Sequence, residues 1–139
     1  MKNRWIDQIK FDAQGLIPAV IQDSRSRQVL MVAYMNRQAV LKTIKIGKAH
    51  FYSRSRKKIW LKGETSGHFQ RVKQIALDCD GDALLVSVTQ VSGACHAGYR
   101  SCFFRRLSKN SRWVVEGKRI FDPGKVYEVS QVSGVRSQE

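Results

Sequence analysis

An α+β, β-rich domain with one main helix is the fold class this sequence predicts, and three observations carry it. Apolar runs of strand length recur at 16–22, 28–34 and 83–89, each bounded by polar or glycine-containing chain. One stretch, opened by Asn36 and closed by Gly47, spaces its apolar residues for a helix. Finally, 139 residues with 42% hydrophobic and 26% charged side chains match the length and balance of one globular domain. That domain is expected to span 1–139, with its core at about 11–127 and a polar tail over 129–139.

The elements follow in order. The runs 16–22 and 28–34 read as strands, and Asp23-Ser24-Arg25-Ser26-Arg27 between them reads as a hairpin loop. Asn36 is a favoured N-cap, Ala39, Val40 and Ile44 mark a helical face, and Gly47 is the stop. Strands over 49–53 and 58–62 flank a basic turn, and a polar loop follows at 63–67. The segment 69–77 alternates loosely and is expected to run as a strand into an acidic cluster. The most apolar segment, 83–89, is expected to be a central strand. A strand over 101–107 precedes a polar break at 108–111, and 112–127 is expected to hold a short strand and a turn at Asp122-Pro123-Gly124.

Bulk properties narrow the function. No apolar run reaches the roughly 18–20 residues that cross a bilayer, and the first residues lack the apolar core of a secretory signal. The expectation is a cytoplasmic protein without membrane association, where free thiols persist. The net charge of +14, from 25 Lys and Arg against 11 Asp and Glu, attracts polyanions. The basic residues are scattered, which suits a solvated surface with one cluster recruited to a phosphorylated ligand. It also suits a nucleic-acid binder.

The chain's three cysteines sit in two short segments, Asp78-Cys79-Asp80-Gly81-Asp82 and Cys95-His96-Ala97-Gly98-Tyr99-Arg100-Ser101-Cys102. An odd thiol count is awkward for disulfides, whereas three thiolates suit a zinc ion with an open fourth position. The alternative is three small buried hydrophobes; the polar, turn-prone chain around Cys95 and Cys102 argues against it. Asp78, Asp80 and Asp82 offer the hard oxygens that magnesium accepts. If the run starts extended, Asp78 and Asp80 share one face and Cys79 points to the other. Alone, such a run slightly favours an acidic loop at a strand end over a metal site. Three thiolates leave a divalent ion's site anionic and its water less acidified, which raises the value of a proton acceptor such as His96 or His68. His50, within a strand, reads as structural. The stretch 51–67 mixes forked donors, hydroxyls and aromatics that suit a phosphorylated base, or equally a charged β-turn.

Six segments, in order, carry a resemblance: Gly15-Leu16-Ile17-Pro18-Ala19, Leu30-Met31-Val32-Ala33-Tyr34-Met35-Asn36, His50-Phe51-Tyr52-Ser53-Arg54-Ser55-Arg56, Trp60-Leu61-Lys62-Gly63-Glu64-Thr65-Ser66-Gly67, the acidic run, and Cys95-His96 through Ser101-Cys102-Phe103-Phe104. Together they resemble phosphoribosyl-AMP cyclohydrolase, the zinc enzyme of histidine biosynthesis. The resemblance implies a mixed sheet curled toward a barrel and an intertwined homodimer. It implies one zinc per subunit, shared across the dimer by Cys79, Cys95 and Cys102, and one magnesium per subunit on Asp78, Asp80 and Asp82. The substrate it implies is a purine carrying ribose phosphates on N1 and N9, opened at the N1–C6 bond by zinc-activated water. His96 is the leading proton shuttle and His68 the second candidate. Arg54, Arg56, Trp60, Lys62, Glu64, Thr65 and Ser66 are the candidate substrate contacts. The rival reading from another class is a basic, zinc-stabilised nucleic-acid-binding domain.

Overall fold

Alternation of buried and exposed side chains pairs the apolar runs into two antiparallel hairpins, joined edge to edge. The computed structural model describes residues 4–127. Strand β1 (Leu16–Asp23) pairs antiparallel with β2 (Val29–Asn36), and β5 (Gln70–Leu77) with β6 (Leu84–Gln90). Parallel pairing of β1 with β6, from Ala19–Leu84 to Asp23–Val88, fuses them into a mixed sheet of order β2-β1-β6-β5. Both central strands need a crossover between them, because a parallel pair cannot be joined by a tight turn.

The crossover begins with helix α1 (Arg37–Ile46). Asn36 Oδ1 accepts the Ala39 amide at 2.8 Å, and Gly47, at φ 84°, returns its amide to Thr43 O. A left-handed C-cap is the position glycine fills without steric cost. The buried positions are Ala39, Val40 and Thr43; Ile44, expected on the packed face, is exposed instead. Thr43 takes the inner position because its Oγ1 accepts the buried His50 amide at 2.9 Å.

A separate hairpin follows in the crossover, β3 (His50–Ser53) with β4 (Lys58–Leu61). It packs Phe51 and Trp60 against each other, tilted with ring centroids 5.1 Å apart, in the core cluster with the inner sheet face. That face carries Ile17, Ala19 and Ile21 of β1 and Leu84, Val86 and Val88 of β6, all essentially inaccessible. Burial of each large side chain is worth about 1.5–3 kcal/mol, so this layer fixes the register of the sheet. The opposite face runs Val32–Val20–Leu85–Ala76 across the four strands, and its Val32 and Leu85 are exposed. Chain 47–49 reaches β5 through a single Lys48–Arg71 bridge, and the sheet does not close into a barrel.

Beyond β6 the chain enters irregular loops, then a small hairpin of β7 (Arg105–Leu107) and β8 (Trp113–Val115), exposed at every position. The strand expected over 101–107 is shortened to its last three residues. Ser101 and Cys102 instead bond to the backbone of β2, as described below. The short helix α2 (Pro123–Val126) is capped by Asp122, whose Oδ1 accepts the Gly124 amide. A 3-10 turn at Trp5–Gln8 precedes the sheet and buries Ile6. Among the described residues no helix is long and apolar enough to cross a membrane. The polar tail at 129–139 lies outside the described residues.

Candidate metal centre and nucleotide cavity

The loop after β6 brings Cys95 and Cys102 together without any regular secondary structure. Ala94 N donates to Arg100 O at 2.8 Å, Cys95 N to Tyr99 O and Gly98 N to Cys95 O, folding 94–100 back on itself. Gly93 permits this fold: a Cβ there would lie 2.6 Å from Tyr99 O. The exit is pinned to β2, with Ser101 Oγ donating to Val29 O at 2.7 Å and Cys102 N to Leu30 O at 2.7 Å. Tyr99, bulky for such a loop, stacks on Phe104 at 3.9 Å.

The two thiols share a hydrogen bond, which with the Ala97 amide and the nearby His96 and Lys62 charges lowers the Cys95 pKa to about 6, against the opposing effect of burial. A thiolate at neutral pH is the donor a soft metal requires. Cys79 is absent from this pair. It precedes β6 while Cys95 follows it, and a strand of 7 residues spans roughly 20 Å. Among the described residues no three His, Cys, Asp or Glu side chains of one chain are arranged to hold a metal ion.

Residues 78–82 form a turn and not an extended start, so the expected alternation of Cys79 against Asp78 and Asp80 does not hold. Asp78 Oδ1 accepts the Asp82 and Ala83 amides at 3.0 and 3.2 Å, closing the β5–β6 turn, and the exposed Cys79 thiol donates to Asp80 Oδ1 at 3.2 Å. Local hydrogen bonding wins because Asp side chains bond their own backbone readily. Asp82 is held above the usual carboxylate range by desolvation and by the charges of Asp78 and Asp80. A bound cation relieves such crowding, so the donor set suits a hard ion although the three carboxylates do not yet converge on one point.

Beside the thiol pair lies a cavity of about 640 Å³, within the range of small-molecule sites. Its walls include Cys102, His96, Lys62, Trp60, Arg54 and Tyr34. The Arg54 guanidinium lies 4.2 Å from the Tyr34 ring. Lys62 is buried and donates to Ala94 O at 2.6 Å, tying the cavity floor to the cysteine loop.

The other candidates stand apart from that cavity. Glu64 Oε1 accepts the Leu61 amide and Ser66 Oγ the His68 amide, so both shape the loop after β4; Thr65 and Arg56 are not in the cavity wall either. His68 packs edge-on against Phe121 at 4.6 Å, away from the cavity lining, and burial lowers its pKa. His96, by contrast, is exposed at the rim. His50 is buried with Nδ1 2.7 Å from Lys48 O, a structural placement.

Asp23 and Arg100 were not singled out by pattern, since one lies in a hairpin loop and the other between two cysteines. They form an ion pair at 2.8 Å with Asp23 buried. Hydrogen bonds from Ser26 and Arg25, and the Arg100 charge, hold the Asp23 carboxyl below its usual range despite burial. Only tertiary structure reveals this pair, because 77 positions separate its members.

A family model described as phosphoribosyl-AMP cyclohydrolase matches residues 31–104. The chain is 57% identical over 122 residues to phosphoribosyl-AMP cyclohydrolase of Methanosarcina acetivorans, covering 88% of this chain and 98% of that protein. It is 53% identical over 128 residues to the enzyme of the same name from Nitrosomonas europaea, covering 91% and 98%. It is also 50% identical over 123 residues to the histidine biosynthesis bifunctional protein HisIE of Thermoanaerobacter pseudethanolicus, covering 88% of this chain and 56% of that one.

Proposed function

The chain belongs to the phosphoribosyl-AMP cyclohydrolase family, and from that membership and the cavity just described we propose that it hydrolyses the N1–C6 bond of phosphoribosyl-AMP. The product is the formimino-carboxamide ribotide of histidine biosynthesis, and the setting is the cytoplasm. The observation that carries the reading is one cavity whose walls join Cys102, the hydrogen-bond partner of the low-pKa Cys95 thiol, with an exposed histidine, Trp60 and basic side chains.

Cys95 and Cys102 of one copy would hold zinc with Cys79 of a second, because one strand length separates Cys79 from the pair within a chain. The exposed apolar row on the outer sheet face and the fully exposed β7–β8 hairpin support self-association. Zinc held by these thiolates would supply Lewis acidity for activating water. His96 at the rim accepts the water's proton and returns one to N1 as the N1–C6 bond breaks. Trp60 packs against the purine, while Arg54 and Lys62 bind phosphate and orient C6 toward Cys102 and His96. Asp78, Asp80 and Asp82 would hold magnesium, whose charge offsets that of a substrate phosphate.

Incubation of zinc-loaded protein with phosphoribosyl-AMP, with the opened imidazole product followed by absorbance, tests the reading. Turnover that needs zinc is expected. Absence of turnover with both metals supplied, together with salt-resistant oligonucleotide binding, would reverse it in favour of a nucleic-acid-binding domain.

A further inference from the structure

We propose that Asp23 and Arg100 form a positioning pair that holds the Cys95 and Cys102 thiols beside one another. The proposal rests on the metal reading above only for the identity of the ion; the placement of the thiols stands on its own geometry. The loop that carries them has no helix or strand, so its shape depends on individual hydrogen bonds. Ser101 and Cys102 pin the loop's exit to β2, and Arg100 links its entry to the end of β1. Its Nη1 donates to Ser92 O at 2.9 Å, at the loop's entry, and its Nη2 donates to Asp23 Oδ1 at 2.8 Å. Arg100 itself sits two positions before Cys102, and its carbonyl accepts the amide of Ala94, immediately before Cys95.

Asp23 is fully engaged on its other side. Its Oδ2 accepts the Ser26 amide at 2.8 Å, the Ser26 hydroxyl at 3.0 Å and the Arg25 amide at 3.2 Å. One buried carboxylate therefore locks the β1–β2 turn to the cysteine loop. A planar guanidinium can serve both partners at once, whereas a lysine ammonium presents a single point. Loss of either partner releases the loop's entry from the end of β1, so that the Cys95 side shifts relative to Cys102, which stays anchored to Leu30 O; the apolar core, built from other residues, remains.

The test uses the Cys79→Ser protein, reduced and metal-free, so that two thiols remain. Diamide, reduced to the hydrazine, oxidises the pair to a disulfide at a rate set by how closely the sulfurs are held. Asp23→Asn and Arg100→Lys are expected to slow this by about tenfold or more at an unchanged melting midpoint for Arg100→Lys. Glu116→Gln, which breaks the exposed Arg106 pair, is expected to leave the rate as it was. In the intact protein, zinc loss to a chelator should rise in the same order, by the roughly 10- to 100-fold typical of supporting partners. Equal disulfide rates in Arg100→Lys and its parent overturn the proposal, whether or not Asp23→Asn folds and whether or not zinc binds. Separated rates in a protein that takes up no zinc sustain the positioning pair and reject the metal reading instead.

Discussion

The two cysteine-bearing loops sit at opposite ends of β6 and are built in opposite ways. The loop at 92–102 is partly buried, tied to β1 and β2 by Arg100, Ser101 and Cys102, and its two thiols share a hydrogen bond. The turn at 78–82 is exposed except at Gly81, is closed by the Asp78 carboxylate, and leaves the Cys79 thiol hydrogen-bonded to a neighbouring carboxylate. One loop is preorganised within the chain and the other presents its donors outward. A ligand set divided in this way is what a site completed by a second copy requires, since oligomers with two-fold symmetry place each surface against a different one or against itself.

The largest effect expected from probing this contrast is at the preorganised loop. Cys95→Ser should abolish zinc retention and lower kcat/KM by more than the roughly 10- to 100-fold that loss of a supporting partner costs; metal analysis and turnover with phosphoribosyl-AMP check it. Arg54→Met should come next, raising KM about tenfold with little change in kcat, as expected for a phosphate contact made equally in ground and transition states. At the thiol itself the sign of the pKa shift sets the pH dependence. The Cys95 pKa is depressed to about 6, so alkylation of the metal-free protein should stay fast above that pH and fall as pH drops through it. An ordinary thiol would lose reactivity near pH 8–9. The smallest effect belongs to the outward turn. Asp78→Ala removes the acceptor for two amides and should cost about 1–2 kcal/mol of stability in denaturant unfolding, with the thiol pair's reactivity unchanged.

Local signals in the sequence carried most of the fold. Asn36 and Gly47 bounded the helix because capping is set within a few residues, and the strands at 16–22, 28–34, 58–62 and 83–89 were found to within one residue or two for the same reason. Ile44 misled because a polar Thr43, with His50 as its partner, competed for the inner face. The strand expected over 101–107 was shortened by contacts with Val29 and Leu30, more than 70 positions distant. Of the candidate site, Cys102, His96, Trp60, Lys62 and Arg54 share one cavity, whereas Glu64, Thr65, Ser66, Arg56 and His68 do not line it. Residue type marks chemistry, but which of several hydroxyls or histidines turns toward a cavity depends on backbone placement. The Asp23–Arg100 pair shows the same limit from the other side: nothing nearby in the chain distinguishes it.

Mixing two inactive variants tests the division of the site between copies most directly. Cys79→Ser and Cys95→Ser proteins, each without turnover alone, would be unfolded, mixed in equal amounts and refolded together. Mixed dimers then contain one site with every thiol intact, and random pairing predicts recovery of about a quarter of the parent's activity. Activity no higher than that of either variant alone would contradict the account, because it would mean that all three thiols of a working site come from the same chain.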